Sequence, residues 1–144
     1  MGKKRIVKLT GKGVDQGLRS RALAKISKKK IENGLLNVEA TFNNTKANIS
    51  DEQGNVIMWS SAGALGFVGA RKSTPYAAAK VGELLGEKAL TIGLKQVDVI
   101  IRGVGAGRES LLRSFAGKGI TVRAIKDATP VPHNGPRARK PRRV

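Results

Sequence analysis

Val97-Asp98-Val99-Ile100-Ile101-Arg102-Gly103-Val104-Gly105-Ala106-Gly107-Arg108-Glu109-Ser110-Leu111-Leu112 reads as a strand, a glycine-rich turn and the start of a helix in one run. Val97, Val99 and Ile101 recur at the strand period of two. Leu111, Leu112 and Phe115 then form an apolar stripe in a helix through Arg108–Ala116, which Gly117 and Gly119 close. Ile120, Val122 and Ala124 give the next strand. A helical crossover joins strands that lie parallel, so this run commits the fold to parallel pairing.

Upstream, Thr74-Pro75 marks a second helix, with Thr as N-cap and Pro at the first helical position. Ala77, Val81, Leu84, Leu85 and Ile92 share a face, Lys80, Glu83 and Glu87 face away, and Gly93 stands at C′. Ala78, Gly82 and Gly86 form a ridge of small residues. Gly costs about 1 kcal/mol against Ala in a helix, so the ridge predicts close approach to a sheet or a backbone. Further upstream, Leu36, Val38 and Ala40 alternate with Asn37, Glu39 and Thr41, and Ala47 and Ile49 alternate with Lys46, Asn48 and Ser50. Phe42-Asn43-Asn44 suits a hairpin between them, and Asp51–Gly54 a second turn. Asn55–Ser60 is a third strand, apolar on both faces, and Trp59, like Phe115, is expected in the core. The predicted order is β-β-β-α-β-α-β. The fold class is α/β: one mixed five-stranded sheet, an antiparallel meander plus parallel strands, with helices packed on it.

The charge is distributed unevenly. Of the formal net charge of +18, residues 1–33 carry +9, residues 131–144 carry +5, and residues 34–130 carry only +4. This divides the chain into a basic N-terminal arm (1–33), an α/β body (34–130) and a basic C-terminal tail (131–144). The arms are too polar and self-repelling to fold alone, so they are expected to order on a polyanion. Nucleic acid fits best, since neutralising phosphates releases counterions. With no cysteine, disulfides, thiolate metal sites and cysteine nucleophiles are excluded. No apolar run approaches the ~20 residues of a membrane span, so no membrane partner is expected. The basic N-terminus lacks an apolar segment for a secretory signal, and its lysine-rich, serine-poor composition argues against an organellar transit peptide.

Two loops are candidates for phosphate contact. Gly103–Gly107 with Arg108 offers backbone N–H groups at a helix N-terminus, although it fits neither the dinucleotide fingerprint nor the Walker A pattern. A turn that needs glycine only for space is the plainer alternative. Arg71-Lys72-Ser73-Thr74 places cations where the helix dipole opposes them. A bound phosphate would account for them, as would simple solvation. Aromatics are too few for base stacking, so contact is expected to be with backbone and shape. Catalysis has little support: His133 stands alone in a Pro/Gly/Arg tail. Glu39, Asp98 and Asp127 are the only strand acids available to a ribonuclease H-like, metal-dependent nuclease. No catalytic residue, metal site or cofactor is expected. A basic DNA-compacting protein remains the other alternative.

Four motifs carry a family resemblance. Asp127-Ala128-Thr129-Pro130-Val131-Pro132-His133-Asn134-Gly135 with its basic end resembles the C-terminal signature of the small-subunit ribosomal protein eleven family. Ala40–Thr45, Arg71–Ala78 and Gly103–Ser110 resemble three more of its motifs, in the same order. The family pattern has prolines where Val104 and Ala106 stand, Cys where Pro136 stands, and Arg-Pro-Pro where Arg137-Ala138-Arg139 stands. Residues 1–33 do not match closely.

The resemblance implies a ribonuclease H-like fold without catalytic residues, in a structural protein of the cytoplasmic small ribosomal subunit. It implies bridging of 16S rRNA helices on the platform and a share in the cleft where the mRNA leader pairs. Small-subunit ribosomal proteins seven and eighteen and initiation factor three are the implied protein partners. With the loop readings, it points to RNA contacts at Asn43, Asn44, Thr45, Arg71, Lys72, Ser73, Thr74, Gly103, Gly105, Gly107, Arg108, His133, Asn134, Gly135, Arg137, Arg139, Lys140, Arg142 and Arg143.

Overall fold

The alternating strands and two amphipathic helices assemble, in the computed structural model, into one sheet with helices on a single face. The structure describes residues 14–24, 30–141 and 143. Five strands, β1 (Asn33–Ala40), β2 (Thr45–Ser50), β3 (Val56–Ser61), β4 (Gln96–Arg102) and β5 (Thr121–Asp127), lie in the order β3-β2-β1-β4-β5. The first three pair antiparallel; β1, β4 and β5 run parallel. The helices are α1 (Gln16–Ala24), α2 (Pro75–Thr91) and α3 (Gly107–Ala116), with short 3-10 turns at Gly63–Leu65 and Gly69–Ser73.

One face of the sheet supplies Leu36, Val38, Ala47, Ile49, Met58, Val97, Val99 and Ile101 to the core. Helices α2 and α3 cover it with Ala77, Val81, Leu84, Leu85, Leu111 and Phe115. The ridge of small residues meets a helix backbone. A Cβ on Gly82 would lie against Leu111 O and 3.2 Å from Phe115 N, and one on Gly86 would lie 2.6 Å from Lys118 Cγ. Gly93 takes φ +83° at the end of α2, as a C′ glycine should.

Three expectations are corrected. Trp59 is not core: it is 62% exposed, because on β3 it is Met58 and Ser60 that face the helices. The alternation expected around Ile120, Val122 and Ala124 places Ile120 in the core before β5 begins, and β5 itself is an exposed edge strand. The N-terminal arm is not wholly without structure of its own, since α1 docks on the body. Asp15 Oδ1 accepts from the N–H groups of Gly17 (2.8 Å) and Leu18 (3.3 Å), Asp15 N donates to Leu65 O at 3.1 Å, and Val14, Ala22 and Leu23 pack on the core. Arg19 clamps Glu87 of α2 at 2.8 Å, and Lys118 reaches the same carboxylate at 3.2 Å. Burial pushes the Glu87 carboxyl up, but Arg19 and Lys118 outweigh it and hold the group below its ordinary value.

Lys88 is buried, 4% exposed, on α2. Desolvation lowers its pKa from the ordinary 10.5. At pH values between its lowered pKa and 10.5, the unfolded chain binds the proton that the folded chain has released. Stability therefore rises with pH across that window. Lys88→Met is expected to stabilise the fold by about 1 kcal/mol at neutral pH by removing a buried charge that has no partner carboxylate among the described residues. Urea melts between pH 7 and 10 check this: the alkaline gain should be present in the parent and absent in the variant.

Candidate nucleic-acid interface

Parallel strands bring their C-terminal ends to one side of a sheet, and in open α/β sheets ligands bind beyond those ends. Here that side gathers four segments. The β1–β2 hairpin turns at Thr41–Asn44, the loop Gly103–Ala106 leaves β4, the tail leaves β5 after Asp127, and the turn Gly69–Ser73 leads into α2. The N-termini of α2 and α3 open toward the same side, so two dipoles present their positive ends there.

The hairpin is closed by Thr41, whose N–H donates to Asn44 O at 2.9 Å and whose Oγ1 accepts from Asn44 N at 3.1 Å. Asn43 is exposed and Asn44 half-buried. At the start of α2, Thr74 Oγ1 accepts from Ala77 N at 3.3 Å with Pro75 at the first position, as expected. Thr74 Oγ1 also donates to Arg71 O at 2.7 Å, and Ser73 Oγ to Ala70 O at 3.1 Å, so both hydroxyls have partners within the turn. Arg71 is exposed and Lys72 half-buried.

The glycine loop is held by steric need. Gly103 sits at φ +94°, where a Cβ would meet Ala40 O and lie 2.9 Å from Ala40 C. A Cβ on Gly105 would meet Thr41 O, and Gly105 N donates to Ala40 O at 2.8 Å. Gly107 is buried against Thr45 and Ala78. The plainer alternative for these glycines therefore holds, and it coexists with anion binding. The first turn of α3 has no side-chain cap, since Ala106 stands at the N-cap.

Arg108 turns inward. It donates to Gly103 O and pairs with Asp127, while Thr129 Oγ1 accepts from Gly103 N at 3.2 Å. Thr129 donates to Asp127 Oδ1 through its hydroxyl at 2.6 Å and its N–H at 2.9 Å. The Thr129 hydroxyl, the Arg108 guanidinium and the Thr129 N–H hold the Asp127 carboxyl far below its ordinary range. Its contribution is thus present above the usual aspartate pKa and lost only as pH falls through the depressed value. The tail is fixed at its root. Beyond it, residues 130–141 and 143 are exposed and without regular structure. Asn134 takes φ +55°, a turn conformation that Asn tolerates.

The fold brings Asn43, Asn44, Arg71, Lys72, Ser73, Thr74, Gly103, Gly105, Gly107 and Arg108 to one side of the body. His133, Asn134, Gly135, Arg137, Arg139, Lys140 and Arg143 extend from it on the tail; Arg142 lies outside the described residues. Thr45 is corrected as a direct contact: it is 0% exposed, beneath Gly107. Thr45 Oγ1 and Asn44 Oδ1 are buried without a hydrogen-bond partner. Sequence reading missed Phe42, which is 76% exposed at the hairpin tip, and Val104 and Val131, exposed on the same side. Phe42 carried a signal, because it interrupts a polar turn. Each acid weighed for a nuclease is engaged by a cation: Glu39 with Lys46, Asp98 with Arg123, and Asp127 with Arg108.

One family model, described as Ribosomal protein S11, matches residues 34–143.

Proposed function

The chain belongs to the ribosomal protein S11 family, and from that premise we propose that it is a structural RNA-binding component of the small ribosomal subunit. Its body docks through the side where the hairpin, the turn before α2, the glycine loop and the tail converge. Four sequence-separated motifs meeting beside two helix N-termini is the observation that carries this reading. Arg71, Lys72, Asn43 and the first turn of α3 meet phosphates and sugars of 16S rRNA helices on the platform. The tail residues His133, Asn134, Gly135, Arg137, Arg139, Lys140, Arg142 and Arg143 thread between those helices and help to wall the mRNA-leader cleft. Arg108 acts as a positioning residue, aiming the tail through Asp127 and Thr129. The assembly setting gives it small-subunit proteins seven and eighteen and initiation factor three as neighbours, in the cytoplasmic ribosome.

No helix among the described residues is long and apolar enough to cross a membrane. Comparing affinity for folded small-subunit rRNA with that for random duplex DNA at physiological salt tests the reading. The rRNA should bind about 10²-fold tighter or more, because positioned loops add to the bulk electrostatic term. Equal affinities would favour the DNA-compacting alternative. Metal-dependent cleavage abolished by Glu39→Gln or Asp98→Asn would favour the nuclease.

A further inference from the structure

The face of the sheet turned away from the helices presents a row of side chains in register. Strand pairing places Trp59 opposite Asn48, Asn48 opposite Asn37, Asn37 beside Ile100, and Ile100 beside Lys126. Residues in register share a face, and neighbouring strands lie about 4.8 Å apart, so the row runs roughly 19 Å across five strands. The flanking row runs from Ser61 through Lys46 and Glu39 to Arg102. Between the two rows lies a polar depression of about 140 Å³ lined by Asn37, Glu39, Lys46, Asn48, Ile100 and Arg102, with Val38.

Three observations on this face point to a ligand. Trp59 is largely exposed at one end, although it is the largest apolar side chain on the sheet. Asn37 Nδ2 donates to Asn48 Oδ1 at 3.1 Å, which leaves the other half of each amide, Asn37 Oδ1 and Asn48 Nδ2, without a hydrogen bond among the described residues. Whichever way the two amides are turned, one acceptor and one NH donor remain to face outward. Arg102 and Lys126 are exposed, and no carboxylate among the described residues pairs with either. An aromatic ring, an amide pair with a donor and an acceptor left open, and cations without a carboxylate partner among the described residues, all on one sheet face, are the elements by which sheets carry unpaired nucleotides. The ring stacks a base, the amides meet a base edge and the cations take phosphates.

We propose that this open face is a second RNA surface, separate from the loop side, which takes an unpaired stretch of two or three nucleotides with one base stacked on Trp59. It rests on RNA being the partner. It also reverses the expectation that the chain does not stack bases, which followed from the small number of its aromatics, since Trp59 stands exposed on the sheet.

Trp59 is the single tryptophan of the chain, so all tryptophan emission comes from the β3 end of this face. The full chain is titrated with an end-labelled, mixed-sequence single-stranded RNA oligonucleotide and with a blunt RNA duplex of equal length. Anisotropy of the label is read alongside Trp59 fluorescence. The single strand is expected to quench Trp59 saturably, while the duplex binds through the loop side and tail with emission unchanged. Trp59→Ala should weaken the single strand about tenfold, Trp59→Phe much less, and neither should alter duplex affinity. Because Trp59 is exposed, both variants are expected to fold, and far-UV circular dichroism checks it. Binding of both RNAs with unchanged Trp59 emission would overturn this proposal and leave RNA binding by the loop side standing. Binding of neither RNA would remove both. Quenching by poly-glutamate as strong as by the single strand would overturn the proposal in favour of an acidic protein partner.

Discussion

Gly103→Ala is expected to lower unfolding free energy by about 2–6 kcal/mol, the largest stability effect at any residue of the loop side. Two costs add at this position. At φ +94° an L side chain is strained whatever the space, for about 1–3 kcal/mol. The added Cβ also runs into the Ala40 carbonyl, 2.9 Å from its carbon, and overpacking of this kind costs about 1–3 kcal/mol. Ala40 has little room to yield. It is fully buried at the end of β1, and its oxygen already accepts from Gly105 N at 2.8 Å. Gly119 is the control: its φ is +88°, yet nothing lies within 4 Å of its would-be Cβ. Gly119→Ala should therefore lose only the strain, and the difference between the two variants in urea melts measures the clash. Equal losses would show that the β1 end moves aside. The effect should extend to binding, because Gly103 N and O hold Thr129 and Arg108, which fix the root of the tail.

The parallel half of the fold was legible because its signals are local and redundant. Thr74-Pro75 starts α2, Gly93 ends it, and the crossovers on either side of β4 leave one handedness and one strand direction. The small-residue ridge was legible as a close approach, and α3 is what approaches. Trp59 misled because a run of Val, Ile, Met and Trp carries no polar alternation. Only tertiary placement at the edge of the sheet shows which of them face outward. The same limit hid α1: a weakly amphipathic basic segment acquires its helix from Asp15, from contacts near Leu65 and from the Glu87 clamp, all of which depend on the finished body.

The candidate site was legible as four motifs in order, but their division of labour was not. The motif resemblance and the loop reading assigned contact to Thr45, Gly107 and Arg108 alike, because sequence does not distinguish a residue that faces a ligand from one that lets another residue face it. Thr45 and Gly107 are buried against each other so that the hairpin and α3 can touch, and Arg108 is turned toward Asp127. A loop side of this design has a rigid core made of its glycines and a charged rim supplied by Arg71, Lys72 and the tail.

Deleting Arg137–Val144 separates that rim from the core. The segment holds five cations and no acid. If each neutralises one phosphate, log K should fall less steeply with log salt by roughly 3.5–4.5 in the truncated chain. Between 50 and 200 mM salt, the full-length chain should then lose roughly 10²-fold more rRNA affinity than the truncated one. Stability should barely change, because the described residues of the segment are exposed and the hook of Asp127, Thr129 and Arg108 stays in place. The slope, rather than affinity at one salt concentration, decides the matter. A tail acting through shape or base contact would weaken binding by the same factor at every salt concentration and leave the slope intact, whereas counterion release must change it. An unchanged slope would therefore reassign the tail from electrostatic grip to specific fit, and would leave the salt dependence to Arg71, Lys72, Arg102 and the N-terminal arm.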